Sequence, residues 1–254
     1  MLGSQCNPVV VKIGGSVITS SEKPLTVNEQ SMGRVAEAIA SFYKQRSSTV
    51  SMALVHGGGS YGHYLVDKML SEKGVLGPLE AAKVQLAMME LSTKLASVLL
   101  ELGVPVVVHP AHSLCKGVKC DLSRFIDDIL VGAVPMTYGD VVLTDSGGKV
   151  ISGDQLAVEA ATLLKAKCLI FVTSVPGVYS ADGRLLSTYT GREKLLEMEG
   201  KAHDVTGGIR GKLKAALEYT RVNPDAVVRI VSPEDLLAAL EGGDVGTLVK
   251  PWED

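Results

Sequence analysis

The chain has 254 residues, 46% hydrophobic and 21% charged, with 25 Lys and Arg against 28 Asp and Glu for a formal net charge of -3. That balance suits a globular protein with a sizeable core and excludes a broad basic face for nucleic acid or a membrane surface; one Trp and three Phe leave little for base stacking. No apolar run reaches membrane-spanning length, and the first eight residues lack a signal peptide's charged start and apolar middle, so a cytoplasmic location is expected.

From the amino end, a Val-rich run predicts a strand over 8–13 that feeds Gly14-Gly15-Ser16. A helix is predicted over 28–46, then a second strand over 50–56 that feeds His56-Gly57-Gly58-Gly59-Ser60-Tyr61-Gly62-His63. Helices over 61–71 and 79–102 follow, then a strand over 104–108, a helix over 122–131 and a strand over 134–138. Residues 141–151, turning at Thr144-Asp145-Ser146-Gly147-Gly148-Lys149, read as a hairpin. The remainder predicts a helix over 154–166, a strand over 168–173, a helix over 207–221, a strand over 226–231 and a helix over 233–241. Continuous apolar strands alternating with amphipathic helices specify an α/β fold with a mostly parallel sheet covered on both faces. No linker or repeat divides the chain, so one domain over 1–254 is expected, with halves of about 1–165 and 166–254 each handling one ligand.

The four cysteines, Cys6, Cys115, Cys120 and Cys168, are too sparse for a secreted disulfide scaffold, so reduced thiols are expected, with Cys168 a small hydrophobe inside its strand. His109, His112, Cys115 and Cys120 fall within twelve residues and offer four N/S donors for a tetrahedral zinc. The spacing lacks a Cys-x-x-Cys turn and His109 precedes Pro110, which favours a plain surface segment; no metal site is assigned to protein residues.

A strand that runs into Gly-Gly-Ser lets backbone N–H groups converge on an anion, and a helix beginning there adds its positive dipole end. Two such turns in the first quarter of the chain point to phosphoryl transfer. The nucleotide loop Gly-x-x-x-x-Gly-Lys-Ser/Thr is absent, and Gly57, Gly59 and Gly62 match a dinucleotide fingerprint without the acidic strand end that should follow. Lys12, inside an apolar strand, would be costly unpaired and is expected to meet a phosphate. Asp154 in Ser152-Gly153-Asp154 reads alone as a helix cap, Thr173-Ser174-Val175-Pro176-Gly177 as a connecting turn, and Lys212 as a solvated lysine after Asp204-Val205-Thr206-Gly207-Gly208. Jointly they lie at strand ends and helix starts on one expected sheet edge.

These motifs resemble the amino acid kinase superfamily, and within it the isopentenyl phosphate kinases, from Lys12-Ile13-Gly14-Gly15-Ser16 to Gly246-Thr247-Leu248-Val249. The closing His63 of the second turn is similar to those enzymes and to fosfomycin resistance kinases, while Tyr138-Gly139-Asp140 and Ser152-Gly153-Asp154 fit the former better. The resemblance implies a three-layer α/β/α sandwich, ATP with Mg2+ as nucleotide, an isoprenoid monophosphate as acceptor, no nucleic-acid or membrane partner, and a homodimer. It implies catalytic roles for Lys12, His63, Asp154 and Lys212, and acceptor binding by Gly58, His63 and Gly153. It implies nucleotide binding by Lys12, Ile13, Gly14, Gly15, Ser16, Gly59, Ser174, Tyr179, Gly208 and Lys212. Met88 and Met89 on the helix over 79–102 are expected as adaptable pocket walls, with Val84, Leu86, Ala87, Leu91, Leu95 and Leu99 beside them.

The chain departs from its relatives in two places. Ser174 and Pro176 replace two carboxylates, and Ser21 stands where a second lysine is usual, with Lys23 the nearest substitute. Two other functions stay open on sequence: a kinase for a phosphonate such as fosfomycin or for an amino-acid carboxylate, and an ATP-sensing module without turnover.

Overall fold

The computed structural model describes residues 6–46, 50–196 and 208–252. In chain order the elements are β1 (Val9–Ile13), α1 (Gly15–Ile18), α2 (Glu29–Arg46), β2 (Met52–His56), α3 (Gly59–Lys73), α4 (Pro78–Glu101), β3 (Val106–Val108), α5 (Ala111–Leu114), β4 (Cys115–Lys116) and β5 (Lys119–Cys120). There follow α6 (Arg124–Leu130), β6 (Val134–Tyr138), β7 (Asp140–Thr144), β8 (Gly147–Ile151), α7 (Gly153–Leu164), β9 (Cys168–Val172), β10 (Thr188–Tyr189), α8 (Gly208–Val222), β11 (Val227–Val231), α9 (Leu236–Leu240) and β12 (Thr247–Val249).

Eight strands form one sheet in the order β10-β12-β11-β9-β1-β2-β6-β3. Strands from β9 through β3 along that order are all parallel; β12 runs antiparallel to β11 and turns the edge. β1 sits at the centre with all five residues buried, so both faces are covered. Its Val9, Val11 and Ile13 pack toward α2, α3, α4 and α9, whereas Val10 packs toward α5, α6, α7 and α8. Those two apolar layers around one sheet are the three-layer α/β/α sandwich. Among the described residues no helix is long and apolar enough to cross a membrane.

Predicted and observed elements agree closely, with differences at the ends. α3 begins at Gly59, two residues earlier than the periodicity suggests, because helix geometry starts inside the glycine turn. The short strands β10 and β12 escaped prediction because two- or three-residue edge strands carry no period.

The thiol expectation is overturned. Cys6 is bonded to Cys168, and Cys115 to Cys120. The first pair meets because β1 and β9 run side by side, with Val9 opposite Cys168. The second pair sits directly cross-strand in the β4–β5 hairpin, around a Gly117 with φ 60°. With both pairs oxidised, cysteine usage no longer argues for a reducing compartment.

Candidate active site

Parallel packing brings the carboxyl ends of β1, β2, β6 and β9 to one edge, where open α/β sheets bind ligands. The two glycine turns leave β1 and β2 there and interlock backbone to backbone. A Cβ on Gly15 would overlap the main chain of Gly58 and Gly59, and one on Gly59 (φ 47°) would overlap Thr19 Oγ1 and the Gly15 carbonyl. Glycine is thus demanded first by the contact between loops. The amide of Gly14 donates to Val172 O (2.9 Å) and that of Gly57 to Ile13 O (2.9 Å), so neither points at a ligand. Among the described residues no bond engages the N–H groups of Gly15, Ser16, Gly58 or Gly59, all at the first turns of α1 and α3.

Lys12 follows the period of β1 to the α7 face, between Val55 of β2 and Phe171 of β9. There its Nζ lies 2.8 Å from Asp154 Oδ1, and Lys212 Nζ of α8 lies 2.9 Å from the same oxygen. All three residues are buried. Asp154 does not cap α7; Ser152 does, its hydroxyl accepting from Asp154 N (3.2 Å), which leaves the carboxylate for the ammoniums. Burial alone would raise the Asp154 pKa, but Lys12 and Lys212 together hold it well below the usual carboxylate range. The Lys212 pKa is pushed down to about 8, by burial first and by the Lys12 ammonium second, with Asp154 opposing. Two cations on one carboxylate leave a surplus positive charge in a buried place, a setting that favours an incoming anion.

Beside this triad lies a cavity of about 60 Å³. Its lining combines Lys12, Gly15, Gly58, His63, Gly153 and Asp154 with the apolar side chains of Val66, Val84, Met88, Val141, Val150 and Ile151. The apolar walls come from α3, α4 and the β7–β8 hairpin, which stands outside the main sheet. Of the two methionines expected as pocket walls Met88 lines this cavity; Val84 lines it too, and the valines of the predicted hairpin, Val141 and Val150, were not expected there. Met89 and Leu86 are exposed rather than pocket walls, since they point off the buried stripe of α4; Ala87, Leu91, Leu95 and Leu99 are core. His56 is structural: wholly buried, its pKa lowered to about 4 chiefly by burial, with Nδ1 3.1 Å from Gly57 O.

The other expected residues are dispersed around this centre. The Ile13 side chain belongs to the core, so only its backbone faces the loops. Ser16 is exposed on α1, and Gly208 opens α8 with φ 54°. Ser174 is exposed in the turn after β9, and Tyr179 is half-buried, bridged to Leu185. Asp204 to Gly207 lie outside the described residues. Lys23 is exposed in a turn capped by Ser20 Oγ, whose loop rests on α3 through Leu25 N and Ser60 O. The zinc donors are otherwise occupied: His109 Nε2 meets Asp128 Oδ2 (2.5 Å), His112 Nδ1 meets Asp140 Oδ2 (2.6 Å), and the cysteines pair with each other.

Anion-facing helix starts, a buried cationic cluster and parallel strands ending beneath them define a phosphate-handling α/β protein. The pattern that describes the amino acid kinase family matches residues 7–231, and the chain belongs to that family of kinases. It is 31% identical to the isopentenyl phosphate kinase of Haloferax volcanii, over 95% of this chain and 98% of that one. It is 30% identical to the isopentenyl phosphate kinase of Methanothermobacter thermautotrophicus, over 93% and 96%. A crystal structure described as isopentenyl phosphate kinase superposes with a TM-score of 0.78 at 26% identity, covering 96% of this chain and all of the other.

Proposed function

We propose that this chain transfers the γ-phosphoryl group of ATP to isopentenyl phosphate, giving isopentenyl diphosphate and ADP. The observation that carries this reading is the composition of the cavity, whose lining mixes glycine turns, His63 and Lys12 with apolar side chains. A phosphate monoester on a small branched hydrocarbon matches both kinds of lining. An amino-acid carboxylate would leave the apolar side chains uncovered, and fosfomycin offers little tail to cover them. The relatives named above share this acceptor across nearly the whole chain.

Chemically, an acceptor phosphate oxygen attacks the γ-phosphorus in line as the bond to the β-bridging oxygen breaks. With a second pKa of about 6 the acceptor is already ionised near neutrality, so it needs no general base. The obstacle is repulsion between two anions, and positioning with charge neutralisation supplies most of the catalysis. In this reading Gly58, Gly153 and His63 hold the acceptor phosphate, with His63 a donor. Gly14, Gly15 and Ser16 underlie the transferring group. Lys12 and Lys212 meet the charge on its oxygens, held in place by Asp154. Ser174, Tyr179, Gly59 and Gly208 border the nucleotide.

Mg2+ would be carried on the triphosphate, where it shields charge. We assign the acceptor to the amino-terminal half and the nucleotide to the carboxyl-terminal half, and infer a cytoplasmic homodimer. Its interface would include the open edge β3, with exposed Val107, and the neighbouring Leu130 and Val131, 78% and 82% exposed. Phosphorus NMR of the enzyme with ATP, Mg2+ and isopentenyl phosphate tests the chemistry. New diphosphate doublets appearing with ADP are expected; ATP decaying only to inorganic phosphate would contradict it.

A further inference from the structure

The sequence set apart two features that phosphoryl transfer leaves unused: the His109–Cys120 segment and the Asp140 that closes Tyr138-Gly139-Asp140. The fold brings them together. Asp140 begins β7 with its side chain wholly buried, and each carboxylate oxygen takes one donor: Oδ2 meets His112 Nδ1 (2.6 Å) and Oδ1 accepts from Val141 N (2.8 Å). A buried carboxylate is an expensive way to fasten a hairpin unless its placement matters.

Asp140 is the crossing point of the acceptor cavity. Before it, Gly139 donates to His56 O (3.0 Å) and lies so close to Gly153 that a Cβ would come within 2.9 Å of Gly153 N. Opposite it in the ladder stands Ile151, which leads into Ser152-Gly153-Asp154. After it comes Val141, a cavity wall. One carboxylate thus fixes the apolar wall and the strand that delivers Gly153 and Asp154. The hairpin's other attachments lie on the opposite layer: Gln85 Nε2 donates to Val141 O (2.8 Å), and Gly148 N donates to Leu76 O (2.7 Å). His112 is therefore the brace from the α5 side. It sits on a four-residue helix followed directly by the β4–β5 hairpin that Cys115–Cys120 closes.

We propose that His112 and Asp140 are positioning residues for the acceptor: they seat the β7–β8 hairpin so that the cavity wall and Gly153 meet the acceptor together. The proposal rests on the acceptor-kinase reading and deepens it. Steady-state kinetics with isopentenyl phosphate and ATP would compare wild type with His112→Ala, Asp140→Asn and the double variant. Asn keeps one acceptor oxygen for Val141 N and removes the carboxylate charge, so the His112 contact survives only in the other imidazole tautomer. Misplacement by a fraction of the 1 Å that can cost roughly a hundredfold should raise the acceptor KM about tenfold in His112→Ala, with the ATP KM changed less than about twofold. The double variant should be no worse than the worse single one, because both remove the same brace.

His112 is partly exposed, so its replacement spares the core, and His112→Gln, which restores an N–H donor, should recover most of the loss. An unchanged acceptor KM, equal rises for both substrates, or additive losses would overturn the proposal. Should the wild type show no turnover with isopentenyl phosphate, the functional reading falls, and hydrogen exchange decides the positioning claim separately. Faster exchange at the Val141 and Ile151 amides in His112→Ala supports it; unchanged exchange overturns it.

Discussion

The residue with most to say is Lys212, because its charge is conditional. In the ligand-free enzyme burial and Lys12 lower its pKa to about 8, so its proton is lost earlier than that of an ordinary lysine. A triphosphate binds the charged form better. ATP affinity should therefore hold below that pH and fall as pH rises through about 8, with proton uptake on binding. Calorimetry in two buffers of different ionisation enthalpy reads that uptake directly; a flat affinity with no buffer dependence would contradict it. His63 and Lys12 separate by parameter. His63→Ala should weaken acceptor handling by about 1.5–3 kcal/mol, as for a hydrogen bond to a charged group. Lys12→Ala should lower kcat more than ATP affinity. The pairing of Lys12 with Asp154 was half-legible in sequence: a lysine in an apolar strand was expected to meet a phosphate and the resemblance implied that Asp154 orients the lysines, while the crossing of β1 beneath α7 shows the contact itself.

At the scale of elements, strands and helices were legible because parallel strands buried on both faces read as unbroken Val, Ile and Leu runs. What escaped was pairing between distant segments. Cys6 and Cys168 are 162 residues apart, and nothing local relates them; sheet order alone does. The β7–β8 hairpin was visible as a hairpin but not as a cavity wall, since Val141 and Val150 acquire that role only by leaning toward α4. The disulfides make a stability prediction. Titration of thiols in denaturant should find none before reduction and four after. Loss of Cys6–Cys168, as in Cys6→Ser, should cost roughly 2–5 kcal/mol and lower the melting temperature. Four free thiols in the untreated protein, or a melt indifferent to reductant, would contradict the pairing.

For the whole molecule, one sheet presents a cavity at the ends of β1, β2 and β6, and an α8 lysine that meets Asp154 at its border. In the proposed division the two halves meet at the β1–β9 pair, and the transfer would take place across the middle of the sheet, where neither half alone holds both lysines. Ser174 and Pro176, where the resemblance implies two carboxylates, would test how far a nucleotide site tolerates change; a protein that only sensed ATP would not require Lys12, Asp154 and Lys212 in contact. The most direct measurement is the rate of ADP release from ATP and Mg2+ with isopentenyl phosphate, fosfomycin, glutamate or no acceptor. Strong turnover with isopentenyl phosphate and background rates with the others is the predicted result. Equal or greater turnover with another acceptor, or tight ATP binding with no turnover on any, would contradict the account.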